Sequence, residues 1–475
     1  MTACDDMPLV RILAMPRLFS ARPSLAAVGV VLAGLLLLAA LRPALAVEVQ
    51  RVVSPGGIEA WLVEDHSNPI VALEMAFRGG SALDPAGKEG LANLVASTID
   101  EGAGPLDSQS FQGELNDLSI RLSFGAGLDN FSGSLRSLTE NSDRAFELLR
   151  LALTEPRFDS APVARIRAQI LAGLTSSLQD PDTIAGLALR GRLLPDHPYA
   201  RPTSGTLESV AGLQVADLKG FVADRFARDR LFVGVVGDID AATLARRLDE
   251  TFLGLPASAA PAEIPEAEVF AGGGTEVVEM DIPQSVVVFG QPGPMRDDPD
   301  FYTAYVVNYI LGGGGFSSRL YGEVREKRGL AYSVYSYLSP WQNAALLTGG
   351  VATQNARVAD SLAVIRDEWR RIAEEGPTAE ELTHAKTYLT GSFPLRFSSS
   401  GAIASMLVGM QMQDLGIDYL DRRNDYIEAV TLSEAKRVAK RLYDVDTLSV
   451  VVVGQPEHLD GPEDLDQSAA GRKES

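Results

Sequence analysis

The 475 residues carry 63 Asp and Glu against 42 Lys and Arg, a formal charge of -21, which excludes a polyphosphate binder because nucleic-acid affinity rests on clustered Lys and Arg. Solubility is the plain reason for such an acidic chain. A single cysteine, Cys4, excludes a disulfide framework, so an apolar core must hold the chain together, and the length allows two or more domains.

At the N-terminus Arg11, Arg17 and Arg22 precede an apolar run from Leu25 to Leu41, and Ala44-Leu45-Ala46 follows it. This order reads as a secretory signal over residues 1–46 with an AxA cleavage site, a mature chain starting near Val47, and a periplasmic or otherwise exported location. The rival reading is a retained anchor, since the run of 17 residues approaches the roughly 18 taken as a membrane-spanning candidate. Cleavage would remove Cys4, four Arg and two acidic residues, moving the formal charge from -21 to -23.

The body of the chain reads as two similar halves. The first opens with a strand over Val71–Phe77, turns at Gly79-Gly80 and enters a helical segment over Leu91–Asp100. It closes with a helix over Leu218–Phe226 that leads through Asp229 into the apolar strand Leu231–Val236, ending at Gly237. Residues 256–274, rich in Pro, Ala, Glu and Gly, have the composition of a linker. The second half repeats the order: a strand over Ser285–Gly290, a helix from Phe301, the run Gly312–Gly315, a helix over Ala435–Tyr443, and the strand Leu448–Val453 ending at Gly454. The closing helix and strand recur at an offset of 217 residues. The expected fold is α+β: two homologous domains, 47–255 and 275–457, each a mostly antiparallel sheet with helices packed on one face, followed by a polar tail over 458–475.

Candidate chemistry is sparse. Zinc needs three or four converging ligands at about 2 Å, and His66, His197, His384 and His458 each lack a second His within five residues. His197, in Asp196-His197-Pro198-Tyr199, has no acid partner nearby beyond Asp196 and reads as structural; His384 reads as a helix-face residue. No GxSxG segment is present, so a serine hydrolase has no support. The run Gly312–Gly315 lacks the Gly-Lys-Ser/Thr ending of a phosphate loop and reads either as a turn that lets backbone approach a ligand or as a plain connector.

The stretch Leu311–Tyr337, LGGGGFSSRLYGEVREKRGLAYSVYSY, resembles the second, substrate-binding half of insulinase and pitrilysin type metallopeptidases. The first half of those enzymes carries an inverted zinc motif, HxxEH. Here Gly90-Leu91-Ala92 matches the lead-in to that motif, so its His, Glu and His positions fall on Asn93, Ala96 and Ser97, and no Glu lies between Glu155 and Glu208 to serve as the distal ligand. The resemblance implies the duplicated fold of mitochondrial processing peptidase and insulinase, with no metal or cofactor on this chain. It also implies that Arg325 binds backbone carbonyls of an extended peptide, that the Tyr332 hydroxyl donates a hydrogen bond to the oxyanion, and that Gly313, Gly314, Gly315 and Phe316 touch the substrate. In the two-chain bacterial branch of the family one subunit carries HxxEH and the other the Arg and Tyr pair. The expected partner is therefore a paralogous HxxEH subunit holding zinc, with an extended peptide as substrate, no nucleic acid, and no membrane once the signal is cleaved. Two alternatives stay open: Arg325 as a solvated helix residue with Tyr332 as a packed strand aromatic, and the whole chain as a structural or binding protein of the same fold.

Overall fold

Eleven strands form two sheets in a computed structural model that describes residues 48–459, so the N-terminal apolar run, its AxA site and most of the polar tail lie outside the described residues. The first sheet comprises β1 (Gln50–Val53), β2 (Glu59–Glu64), β3 (Ile70–Arg78), β4 (Arg121–Ala126), β5 (Asn130–Leu138) and β6 (Leu231–Gly237), in the order β1-β2-β6-β3-β5-β4. The second comprises β7 (Thr275–Glu279), β8 (Gln284–Pro292), β9 (Ala331–Pro340), β10 (Ala345–Gln354) and β11 (Ser449–Gly454), in the order β7-β11-β8-β10-β9. Each contains one parallel pairing, β2 with β6 and β7 with β11, and is otherwise antiparallel. From β2 and β7 onward the two orders are the same, as a duplication requires.

The closing strands β6 and β11 sit inside their sheets, and Val233–Gly237 and all of Ser449–Gly454 are buried. A strand buried on both faces is written as an unbroken apolar run, which is why both segments lack alternation. One face of each sheet is covered by helices of its own half. Ser142–Thr154 and Ala241–Phe252 build the first core with Leu73, Phe77 and Phe131; Val358–Glu375 and Leu432–Leu442 build the second with Phe289, Trp369 and Val450.

The other face is covered by the opposite half, a layer added to the expected one. The helix Pro181–Leu193 of the first half lies on β8 and β11, placing Ala185, Leu189 and Leu193 against Val286, Val451 and Val453. Reciprocally, the helix Ser400–Met412 of the second half lies on β3 and β6. It comes so close that a Cβ at Gly234 would stand 2.5 Å from the Ala404 carbonyl oxygen and 3.0 Å from the Leu407 Cβ. Each large apolar side chain so buried contributes about 1.5–3 kcal/mol, so the exchange ties the halves together strongly. The segment between them, though spacer-like in composition, is fastened as well: Ala267 and Phe270 donate backbone hydrogen bonds to Asn343 and Leu193, and Ile264 and Val269 pack on the same interface. Both halves belong to one compact unit that begins at Val49. Among the described residues no helix is long and apolar enough to cross a membrane.

Candidate functional site

The segment that carries the Arg and Tyr pair is built by tight backbone packing. The helix Phe301–Asn308 runs into a wide turn over Tyr309–Gly313, a short turn at Gly315–Ser317 and a second wide-turn helical segment over Tyr321–Glu326 before β9 begins. Gly312 lies directly on β9, where a Cβ would collide with the Ser336 hydroxyl and come within 2.8 Å of the Ser336 nitrogen. Only glycine allows that approach. Asn308, 4% exposed, locks the contact by donating to the Ser336 carbonyl at 3.0 Å and accepting from its hydroxyl at 2.7 Å. Neither Asn308 nor Ser336 was singled out by sequence reasoning; an Asn in the otherwise apolar Tyr305–Leu311 stretch was the available signal.

β9 is an edge strand, paired only with β10. Its register jumps between Val351, which faces Val334, and Thr353, which faces Ala331, so Ala352 stands opposite both Tyr332 and Ser333. This is a β-bulge. Strict alternation would give Tyr332 the face of Val334 and Ser336, both buried; the extra residue breaks the alternation, and Tyr332 is 81% exposed. Tyr335 and Tyr337 are exposed beyond it and stack with ring centroids 6.0 Å apart.

The Arg325 guanidinium lies 4.5 Å from the centroid of the Tyr332 ring, 4.8 Å from Tyr321 and 5.8 Å from Phe316. Neighbouring cations have carboxylate partners: Lys327 and Arg328 share Glu323 at 2.5 Å each, and Arg319 clasps Glu381 with Nε and Nη2 at 2.6 and 2.7 Å. Arg325 has no carboxylate partner among the described residues. Three rings lie near the guanidinium and its N–H groups make no hydrogen bond among the described residues, which leaves them available to acceptors from outside. Phe316, 77% exposed, extends the same surface, and Gly313 and Gly314 lead into it. An exposed phenol is not the packed strand aromatic of the alternative reading.

In the first half, the positions matched to the zinc motif stand on the short helix Leu91–Ala96 and its end. The helix ends at Ala96, short of the expected Asp100, and the chain continues in turns where the Thr98 and Glu101 amides donate to the Val95 and Thr98 carbonyls, while the Ser97 and Thr98 hydroxyls donate to the Asn93 and Leu94 carbonyls. Its start is held by Asp84, 3% exposed, whose carboxylate accepts from the Gly90 and Ala92 amides at 3.0 and 3.1 Å. Burial pushes Asp84 up to about 7 even though those amide hydrogen bonds favour the charged form. Asn93 and Ser97 are half-buried and Ala96 is buried. These residues do not fit a zinc ion: they include no imidazole, thiol or carboxylate, and the Ser97 hydroxyl is already engaged with Asn93. Elsewhere, His66 pairs with Asp238 at 2.6 Å, His197 bridges the Tyr199 amide and the Pro265 carbonyl, and His384 is exposed on the helix Ala379–Gly391. Among the described residues no group of three or more His, Cys, Asp or Glu could hold a metal. No hydrogen bond, ion pair or ring contact joins the Asn93–Ser97 positions to the Arg325 cluster among the described residues.

Fold and site together define a duplicated α+β protein that displays a cationic edge and a free phenol and has no metal ligands at the corresponding place in its other half. Residues 212–389 match the family model described as the peptidase M16 inactive domain. Over 391 residues the chain is 29% identical to the non-peptidase homolog YmxG of Helicobacter pylori, a match covering 82% of this chain and 90% of that one. Over 283 residues it is 31% identical to an uncharacterized zinc protease of Streptomyces coelicolor, covering 58% of this chain and 61% of the relative. The crystal structure of a peptidase M16 inactive domain from Pseudomonas fluorescens aligns with a TM-score of 0.81 at 30% identity, covering 87% of this chain and 99% of that one. The chain belongs to the peptidase M16 family.

Proposed function

We propose that this chain is the exported, non-catalytic, substrate-binding subunit of a heteromeric zinc peptidase, working beside a paralogous chain that carries HxxEH and the metal. One observation carries the reading: Arg325 lies near three aromatic rings with its N–H groups unpaired among the described residues, beside an exposed Tyr332, while the motif positions Asn93, Ala96 and Ser97 offer no ligand. An unpaired guanidinium contributes little to stability and a good deal to gripping an extended backbone, whose carbonyl oxygens accept from it. The Tyr332 hydroxyl, unobstructed on the bulged edge, donates to the oxygen that becomes negative as the peptide bond is attacked. Gly313, Gly314, Gly315 and Phe316 form the floor along which the peptide backbone runs.

The test is reconstitution. The chain, its HxxEH-bearing genomic neighbour and the mixture are assayed on a quenched fluorescent peptide. Cleavage by the mixture well above that of either chain is expected. Metal-free turnover by this chain alone, or a neighbour that is fully active without it, overturns the division of labour. A structural role in the same fold draws support from the relative described as a non-peptidase homolog, and it predicts that the mixture gains nothing.

A further inference from the structure

Gly315, the residue before Phe316, also lines a cavity of about 670 Å3 bounded by the helix Phe301–Asn308, β9 and the crossing helix Ser400–Met412. The formal charge of the chain is -21, yet this wall contains Arg296, Arg396 and Arg423 and no Asp or Glu. Four other surface cavities each contain a carboxylate, among them Asp182, Asp143, Asp229 and Glu155. The sign of the charge is therefore reversed locally.

None of the three arginines has an acidic partner among the described residues. Arg296 donates to the Tyr302 hydroxyl at 2.8 Å and to Gln413 Oε1 at 3.2 Å, and its guanidinium lies 4.3 Å from the Phe301 ring centroid. Arg423, 5% exposed, donates to the Leu389 carbonyl and Asn424 Oδ1. Arg396 is exposed and makes no side-chain hydrogen bond among the described residues. On the adjoining segments Asp418 pairs with Arg422, Asp298 with Arg441, and Asp300 with Arg437 and Arg441, while Asp297, Asp421 and Asp425 are exposed and outside the wall. Asp414, beside Gln413, is exposed and outside the wall.

Three like charges lining one cavity without a counter-ion are unfavourable, most of all for the buried one, and an entering anion relieves that. The remaining wall includes six tyrosines, among them Tyr305, Tyr309 and Tyr337, with Met406 and Met410, and it suits an apolar or aromatic body carrying the anion. We propose that this cavity receives a carboxylate-bearing part of a peptide, either an Asp or Glu side chain or the C-terminal carboxylate, and so selects acidic-apolar substrates in a chain whose overall charge would favour basic ones. The inference rests on the peptide-binding reading above and adds the substrate class.

Fluorescence anisotropy of the full chain alone tests it with four dye-labelled peptides of one apolar sequence: capped with Glu, Gln or Lys at the central position, and the Gln peptide with a free C-terminal carboxylate. At least one carboxylate peptide should bind about tenfold tighter than capped Gln, with Lys weakest, and whichever gains identifies the side chain or the terminus. Arg396→Gln, at an exposed position that tolerates change, should narrow the gap by about threefold or more, and Arg296→Gln further. Equal binding of all four peptides, a preference for Lys, or a ranking that survives Arg396→Gln and Arg296→Gln alike overturns the proposal. Because binding needs no partner, a flat ranking with intact peptidase stimulation refutes this inference alone. The expected ranking with no effect on cleavage refutes only the subunit reading.

Discussion

Replacing Glu381 by Gln should loosen the anchoring of Arg319, which lies between Phe316 and Tyr321 in the chain. Glu381 receives two parallel bonds from Arg319, whose side chain is 11% exposed, and it also accepts from the Thr378 amide at 2.7 Å. Burial alone would raise this carboxyl, but the Arg319 fork and the Thr378 amide outweigh it and hold it at about 2, against an ordinary 4.5. Discounted for the partial exposure of the carboxylate, that depression corresponds to about 2–3 kcal/mol, present above the unfolded pKa and lost as pH falls from about 4.5 through 2. In E381Q the loss should match or exceed that figure, because Arg319 would stay buried without a counter-charge, and its Nη1 already lacks a partner. Urea unfolding followed by tryptophan fluorescence, run on both proteins from pH 7 to pH 3, separates this carboxyl from the many others. The difference in unfolding free energy should be about 2–3 kcal/mol at pH 7 and shrink as the pH falls below about 4.5. A difference under about 1 kcal/mol, or one that stays constant with pH, would refute the assignment of the fork as a strong pair.

Tyr332→Phe should leave the urea midpoint unchanged, since the ring is 81% exposed, while lowering turnover of the reconstituted mixture by about a hundredfold or more; a wild-type rate shows the hydroxyl to be idle. Gly234→Val should destabilise by about 1–3 kcal/mol or more by pushing the crossing helix off β6, and an unchanged urea midpoint contradicts that packing. N-terminal sequencing of the protein from its own cells should begin at Val47, whereas a start before Leu25 contradicts cleavage of the signal.

The duplication is visible in the amino-acid sequence because its most regular unit, a helix feeding a largely buried strand that ends at Gly237 or Gly454, is written in both copies as a valine-rich run without polar alternation. The Arg325 segment is recognisable for a different reason: its glycines, charged residues and tyrosine keep fixed spacings. The exchange of helices is not visible. Apolar positions in Pro181–Leu193 and Ser400–Met412 say that each helix buries a face, but they carry no address for the sheet that receives it. The bulge at Tyr332 is equally silent, since it depends on the count of residues in β10 as well as in β9. The cationic cavity draws on Arg296, Arg396 and Arg423 from three separated segments, and no local window holds more than one of them.

Crossing helices also set an order on biosynthesis. The first sheet, although its strands are complete at Gly237, keeps one greasy face bare until residue 412 has emerged from the ribosome, some 175 residues later. Through that interval β3 and β6 are open to stray partners, so a chaperone that shields nascent chains has a defined clientele here, and a protein truncated anywhere in the second half ahead of that helix is destined to aggregate rather than persist as a half-sized domain.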